Sequence, residues 1–281
     1  MTTSLAEAGT HRGSGQRTIG QWAAFLSLNI WFYTIGTLFS FVYVTLAGLW
    51  VLLCLAVTRN RRKTQYVIRC AIRWYGWVII RLPWPWARLK FVDYEPDAKP
   101  PYVMVLNHRS SSDAYLGAVL PIECVQVLNV WPNHVPFLRF MARIATYLSV
   151  REMPFEEFAA KGSRLLQQGC SVIAFPEGTR SGSTKLNSFH GACFRLAQMN
   201  RVKIVPMAVF GNERIPARGA PWLNPGKVIL SKLVSVKPEQ YEGMSAYKLK
   251  NMVRDMIAAH LEAQANEARG TAATGAKHAA R

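Results

Sequence analysis

Tyr102-Val103-Met104-Val105-Leu106-Asn107-His108 is an apolar run that ends in polar side chains, and it decides the fold. A later stretch, Ser171-Val172-Ile173-Ala174-Phe175, has the same form and runs into the loop 176–181. Short apolar runs that end in turn or polar residues predict buried strands. Open α/β sheets carry their chemistry at the carboxyl ends of such strands. The two stretches therefore predict an α/β fold, with a mixed central sheet flanked by helices.

The rest of the chain supplies elements for one domain over residues 66–264, which is long enough to bury a core. Helices are predicted over residues 154–168, 189–199 and 245–264, and strands over residues 204–210 and 227–236. Residues 129–148 could equally line an apolar channel or serve as scaffold. Disorder is expected for residues 1–21 and for the tail at residues 265–281, which is rich in Ala and Gly.

An apolar segment at residues 22–57 contains no Asp, Glu, Lys, Arg or His. As one helix it would be about 54 Å long, which exceeds a hydrocarbon core of about 30 Å. It is therefore either one membrane span with an interfacial extension or two shorter helices broken near residues 34–37. Arg59-Asn60-Arg61-Arg62-Lys63 follows, and such a basic cluster places the next domain on the cytoplasmic face. We expect a membrane-embedded helical anchor over residues 22–65, ahead of the α/β domain.

The next segment, residues 66–82, has the composition of an amphipathic helix. Arg69 and Arg73 lie four residues apart, and Trp74 and Trp77 supply aromatic bulk. This pattern favours a helix in the lipid headgroup layer. An ordinary helix packed on the core is the alternative.

His108 and Asp113 are the strongest candidates for chemistry. If Ser110-Ser111-Ser112 opens a helix, Asp113 falls on its first turn and its carboxylate can reach back to the imidazole. A carboxylate that accepts a hydrogen bond from one ring nitrogen leaves the other nitrogen to take a proton from an alcohol. The same spacing also suits a surface histidine beside a helix cap, and spacing alone does not separate the two readings.

These motifs, in this order, resemble the membrane-associated glycerolipid acyltransferases of the 1-acylglycerol-3-phosphate acyltransferase type, over about residues 75–240. His108 and Asp113 match the family's His-x4-Asp motif. Weaker matches are Arg151, which follows Tyr147-Leu148-Ser149-Val150, and Pro206. The loop that the family associates with the acceptor phosphate is matched by Glu177, Gly178, Thr179 and Arg180.

The resemblance implies an O-acyltransferase of phospholipid biosynthesis on the cytoplasmic face of a membrane, with a bacterial inner membrane as the expected location. An acyl chain would move from acyl-CoA or acyl carrier protein to the hydroxyl of a lysolipid, with 1-acylglycerol-3-phosphate as the leading acceptor and phosphatidate as the product. No cofactor beyond this co-substrate is implied. His108 would be the general base and Asp113 its orienting partner. Substrate-binding roles would fall to Arg151, Glu177, Gly178, Thr179 and Arg180.

One departure concerns Ser188-Phe189-His190-Gly191-Ala192, where many relatives that use lysophosphatidate carry a lysine-rich segment. It keeps open a different acceptor, such as a lyso-aminolipid or a specialised envelope lipid. A noncatalytic membrane tether is a rival of another class, although a tether has no need of a base.

Other kinds of chemistry find less support in the sequence. A serine hydrolase would want a Gly-x-Ser-x-Gly elbow, which the chain lacks. The six histidines and five cysteines show no zinc-ligand spacing, so no metal site is predicted. A formal net charge of +18 would suit nucleic acid, but no recognition motif organises the basic residues. An anionic lipid surface explains the same charge, and so does an acidic carrier protein.

Overall fold

The computed structural model describes residues 17–57, 60–128, 144–181, 185–217 and 219–279, with side chains as far as residue 270. Seven strands form one sheet in the order β1-β7-β6-β2-β5-β3-β4. The strands are β1 Ala87–Asp93, β2 Val103–Leu106, β3 Cys124–Leu128, β4 Leu148–Ser149, β5 Ser171–Ala174, β6 Ile204–Phe210 and β7 Gly226–Lys232. The helices are α1 Ile19–Val57, α2 Arg61–Arg81, a 3₁₀ helix Ser111–Val119, α3 Phe155–Gln167, α4 Ala192–Asn200, α5 Pro238–Tyr241 and α6 Ala246–Ala279.

The sheet is mixed, as predicted. β2, β3, β4, β5 and β6 are parallel to one another, whereas β7 pairs antiparallel with β6 and β1 pairs parallel with β7. All four residues of β2 are buried, because helices cover both faces. Val103 and Val105 face the layer of α3, α4 and α6, and Met104 and Leu106 face the opposite layer.

Most predicted elements lie within a few residues of their observed bounds. The helix predicted over residues 189–199 begins at Ala192, and the strand predicted over residues 227–236 ends at Lys232. Gly169 follows α3 with a φ of +80°, which is the left-handed conformation expected after a helix end. The predicted channel or scaffold segment lies mainly outside the described residues, which resume at residue 144.

The apolar segment forms a single helix, α1, which begins at Ile19 and therefore before the predicted boundary at residue 22. The predicted alternative of a break near residues 34–37 does not occur. Gly36 instead lies where the helix meets Leu82, whose Cδ2 would be 3.1 Å from a Cβ at this position. Within the described residues, α1 alone has the length and apolar composition of a membrane-crossing helix.

α1 is also attached to the sheet domain by its own side chains. The Asn29 amide donates to the Leu223 carbonyl oxygen at 2.9 Å and accepts from the Leu223 N–H at 2.9 Å. Asn29 is 4% exposed, and Leu28 beside it belongs to the core under the sheet. The first part of α1 therefore packs as a helix of the domain, while large apolar side chains farther along it are exposed.

α2 packs on the 3₁₀ helix and on α1, and it leaves Tyr66, Trp74 and Trp77 exposed. The headgroup location of this helix stays a prediction, but the Arg69 side chain points into the protein. Arg69 is 4% exposed and pairs with Glu123, at 2.7 Å between Nη1 and Oε1. Glu123, directly before β3, is the partner that stabilises the buried guanidinium. The periodicity of the helix sequence alone does not reveal this partner.

The tail also differs from prediction. α6 continues to Ala279, where disorder had been expected from residue 265. Alanine has the highest helix propensity, so an Ala-rich extension of an existing helix propagates it without a new nucleus.

Candidate active site

The candidate site lies where β2 and β5 end side by side. These strands are parallel neighbours, so the loops after Leu106 and Ala174 leave the sheet at the same edge. The loops are joined by backbone groups: the His108 N–H donates to Glu177 Oε1 at 2.7 Å, and the Ser181 N–H donates to the His108 carbonyl oxygen at 2.9 Å. Two motifs about seventy residues apart in sequence thus form one surface.

His108 and Asp113 contact each other as their spacing predicted. His108 Nδ1 lies 2.8 Å from Asp113 Oδ2, and the 3₁₀ helix begins with Ser110 as its cap and Asp113 in its first turn. Because a carboxylate only accepts, Nδ1 carries the proton in this contact and Nε2 of the neutral ring holds the lone pair.

Asp113 is fully buried, and neutral donors surround its carboxylate. Oδ2 accepts from the backbone N–H groups of Arg109 at 2.7 Å and Ser110 at 3.0 Å, in addition to the imidazole. Oδ1 accepts from the side-chain amide of Asn212. These donors stabilise the carboxylate without a cation, so its negative charge remains available to the imidazole.

His108 reaches the surface, unlike its partner. Its side chain is 23% exposed, and its ring packs against Phe175 with 4.7 Å between centroids. None of the described residues forms a hydrogen bond to Nε2. The ring is therefore held by Asp113 on one side and presents a proton acceptor on the other.

Glu177 occupies a different place from the one expected of a substrate ligand. It is 4% exposed; Oε1 accepts from the His108 N–H, and Oε2 accepts from the Asn187 N–H at 2.9 Å. Burial raises the pKa of Glu177, against the opposing effect of these two N–H groups. The contacts make Glu177 a brace for the His108 loop.

The rest of this loop is more open. Thr179 is exposed and Arg180 is partly exposed, so both can meet a ligand at the sheet edge. Gly178 has a φ of +69°, and a Cβ there would lie 3.1 Å from His190 Nε2. A side chain at Gly178 would thus be disfavoured both by the backbone conformation and by the imidazole beside it.

Comparisons with known proteins agree with this geometry. Residues 88–210 match the model of the Acyltransferase family. This match covers β1 to β6 and includes both candidate loops.

Two curated relatives carry consistent names. A 1-acyl-sn-glycerol-3-phosphate acyltransferase of Saccharomyces cerevisiae is 31% identical over 176 residues, which are 60% of this chain and 58% of the yeast protein. A chloroplastic protein of the same name from Arabidopsis thaliana is 28% identical over 171 residues, 59% of this chain and 47% of that protein. The chain thus spans about half the length of these curated relatives.

The fold of the whole chain has a solved counterpart. The crystal structure of the 1-acyl-sn-glycerophosphate acyltransferase of Thermotoga maritima matches with a TM-score of 0.67 and 23% sequence identity. The match covers 87% of this chain and 97% of that one. The predicted fold class is therefore confirmed, including an N-terminal helical segment ahead of the sheet.

Arg151 lies at the same edge of the sheet as His108, although not beside it. It is exposed and follows β4, which is the third strand from β2 in the sheet order. Since β4 runs parallel to β2 through β3 and β5, its carboxyl end faces the same way. A ligand that contacts both Arg151 and His108 must extend along the sheet edge.

Three residues near the candidate site were missed by the sequence analysis. Asn107 pairs its side-chain amide with both backbone groups of Val209, at 2.7 and 3.0 Å, and so ties the His108 loop to β6. Asn212 holds Asp113, and Glu213 forms an ion pair with the buried Arg109. Asn212 and Glu213 follow strand β6 directly, so the rule that led to His108 and Glu177 could have indicated them.

The part of the chain that the structure describes shows no metal-binding cluster, and two of its buried thiols are unreactive. No group of three or more His, Cys, Asp or Glu residues could hold a metal ion there. Burial raises the pKa of the Cys170 thiol to about 11 and that of Cys193 to about 12, so both stay protonated near neutral pH.

Proposed function

We propose that the protein transfers a fatty acyl chain from a thioester donor to the free hydroxyl of a lysolipid, with 1-acylglycerol-3-phosphate as the leading acceptor and phosphatidate as the product. The observation that carries this proposal is the His108–Asp113 contact, at 2.8 Å, with the imidazole partly exposed at the sheet edge. The printed names of the relatives support the choice of acceptor.

The chemistry needs one base and no covalent enzyme intermediate, because a thioester is already activated. In the proposed step, His108 Nε2 takes the proton of the acceptor hydroxyl as its oxygen bonds to the thioester carbonyl carbon. Collapse of the tetrahedral intermediate breaks the carbon–sulfur bond. The leaving thiolate then takes the proton from the imidazolium, which restores neutral His108. Asp113 orients the ring and stabilises its charged form between these two transfers.

The acceptor phosphate is assigned to the loop 178–180, with Arg180 as its main contact. A guanidinium can bind two phosphate oxygens at once, which a lysine ammonium cannot match in geometry. Gly178 and Thr179 contribute the exposed backbone and hydroxyl beside it, and Arg151 extends the positive edge. Glu177 is assigned to loop bracing, because both of its carboxylate oxygens accept from backbone N–H groups.

The apolar helix α1 supports a membrane location for this reaction, and the basic cluster at residues 59–63 supports the cytoplasmic face. Acyl-CoA and acyl carrier protein remain the two candidate donors. The net charge of +18 favours association with anionic lipid and also with an acidic carrier.

The decisive experiment measures acyl transfer by the detergent-purified protein, with each donor offered in turn against a panel of lysolipids. The panel contains lysophosphatidate, lysophosphatidylcholine and a lyso-aminolipid. His108→Ala should abolish turnover, and His260→Ala on α6 serves as the matched histidine control with wild-type rates. Turnover by His108→Ala at near-normal rates would show that His108 is not the general base. Transfer confined to another lysolipid would identify that lysolipid as the acceptor. No transfer to any acceptor would favour a noncatalytic membrane tether.

Arg180→Ala tests the acceptor site separately. Loss of a charge-assisted phosphate contact should raise the KM for lysophosphatidate by about 10- to 100-fold, since such contacts contribute about 1.5–3 kcal/mol. The KM for the donor should stay within about threefold. An equal effect on both substrates would count against a phosphate role for Arg180.

A further inference from the structure

Asp113 has two oxygens, and only one of them is explained by the motif. Oδ2 receives the imidazole and two backbone N–H groups, all from residues 108–110. Oδ1 receives the Asn212 side-chain amide, from the loop after β6. Without this fourth donor, the carboxylate of Asp113 would be held at a single oxygen.

Asn212 is placed where little else could hold this oxygen. It is 1% exposed and follows Gly211, whose φ is +85°. A Cβ at Gly211 would lie 2.2 Å from the Lys227 carbonyl oxygen on β7, so only glycine fits between β6 and Asn212. The backbone at this point is therefore determined by the sheet, and the sheet directs the Asn212 side chain to Asp113.

The orientation of the Asn212 amide is costly for folding. Its amino group faces the carboxylate, which only accepts, and its Oδ1 is left without a hydrogen-bond partner among the described residues. An unsatisfied buried oxygen is destabilising, and an apolar side chain would avoid that loss. An apolar side chain would, however, leave Asp113 Oδ1 without this donor, so the asparagine is best explained by the need to hold Asp113.

We propose that Asn212 is a positioning residue for the acyl transfer reaction, acting on His108 through Asp113. It fixes the carboxylate so that Oδ2 faces His108 Nδ1, and as a neutral donor it leaves the charge of Asp113 uncompensated. A lysine or arginine in its place would form an ion pair with Asp113 and weaken its hold on the imidazolium. This inference rests on the proposed function.

The same loop is held to the His108 loop by other contacts, so the role of Asn212 can be separated from loop folding. Ser110 Oγ donates to the Ile215 carbonyl oxygen at 3.0 Å, and Glu213 pairs with Arg109. Asn224 Nδ2 donates to the Arg214 carbonyl oxygen at 2.8 Å, and Asn224 Oδ1 accepts from Arg17 Nη2 at 2.7 Å, so both ends of its amide are engaged by partners other than Asp113. Asn224→Ala is therefore a matched control.

The test compares Asn212→Ala with Asn224→Ala in the transfer assay, in which wild-type turnover and its loss in His108→Ala first establish the proposed function. Asn212→Ala should lower kcat by about 10- to 100-fold, as part of the roughly 10²- to 10⁴-fold contributed by general acid–base catalysis. The KM values for donor and acceptor should change by less than about threefold. Asn224→Ala should keep kcat within about threefold.

A double substitution shows whether the effect passes through Asp113. In an Asp113→Ala background, Asn212→Ala should cost less than about twofold more, because its partner is already gone. Asn212→Leu keeps the branched shape of the side chain but removes the donor, so it tests the idea even where the alanine variant does not fold; it should lose at least as much kcat. Wild-type kcat in Asn212→Leu, or fully additive losses in the double variant, would overturn the proposal.

Discussion

A fully buried carboxylate and a partly buried one lie at either end of the 3₁₀ helix Ser111–Val119, and their charges are stabilised in different ways. Asp113, at its start, is surrounded by backbone N–H groups, an imidazole and an amide, none of which carries a fixed charge. Glu123, just beyond its end, binds Arg62 through both oxygens at 2.6 Å and Arg69 at 2.7 Å.

The difference separates a carboxylate suited to chemistry from one suited to structure. Two guanidinium groups cancel the charge of Glu123 and join α2 to the beginning of β3. The charge of Asp113 is solvated by neutral donors and stays available to a proton-carrying ring. Burial alone therefore does not identify a functional acid; the charge of its partners does.

The largest effect expected from this comparison is on turnover. Asp113→Asn should lower kcat by about 10³-fold, because an amide stabilises the imidazolium far less than a carboxylate and favours a different tautomer. Glu123→Gln should keep kcat within about threefold, measured below its unfolding temperature. Equal losses in the two variants would show that the 3₁₀ helix acts as one structural unit and would remove the distinction.

The stability of the fold should respond in the opposite sense. Glu123→Ala leaves Arg69 buried without its partner, which should cost about 3–5 kcal/mol. For a chain of this size the unfolding temperature should fall by about 2–4 °C per kcal/mol. The double variant Arg69→Met with Glu123→Gln should recover most of the loss in a thermal melt, since it removes the orphaned charge. Failure to recover would indicate that the pair contributes more than charge balance.

The ion pairs of Glu123 should be lost at acidic pH. Burial raises the pKa of Glu123, but hydrogen bonds from Arg62 and Arg69 outweigh burial and bring the pKa below its ordinary value. The resulting stability is present above the unfolded-state pKa, about 4.3 for Glu, and is lost as the pH falls through the lower folded-state pKa. Thermal melts between pH 6 and pH 3 should therefore show a steeper decline for the wild type than for Glu123→Gln. Parallel curves would contradict this linkage.

The smallest effect on stability is expected for Arg62, the more exposed of the two arginines that bind Glu123. The Arg62 side chain is 34% exposed, so solvent screens its pair with Glu123. Arg62→Ala should cost about 0.5–1 kcal/mol and leave kcat unchanged, because Arg69 still binds the carboxylate. A loss as large as that of Glu123→Ala would place the main contact at Arg62.

The strands and the His108–Asp113 contact could be predicted because both depend on local sequence. A run of four apolar residues predicts a strand that is covered on both faces. The helix cap at Ser110 brings Asp113, in the first turn of the helix, beside His108, which precedes the cap. The catalytic and substrate-binding roles assigned to these residues stay predictions.

Contacts between distant segments could not be predicted in the same way. The sequence pattern around Arg69 favoured an exposed side chain. An ion pair with Glu123, more than fifty residues later, instead stabilises Arg69 in a buried position. Glu177 was expected to meet substrate, yet the two N–H groups that occupy it belong to His108 and Asn187. The sequence alone does not distinguish Asn212 from other amide side chains in loops. Only the sheet order, with β6 next to β2, shows that it lies beside Asp113.

Asn29 has a consequence for how the protein sits on a bilayer. Its two hydrogen bonds to Leu223 prevent α1 from sliding or rotating relative to the sheet. From Asn29 to Val57 the helix extends about 42 Å, at about 1.5 Å per residue, so in the proposed membrane arrangement the depth of its far end would determine the height of the His108 edge above the lipid. Shortening the helix between these points would lower or tilt that edge, whereas removing it would strip Leu223 of both partners and uncover the core around Leu28.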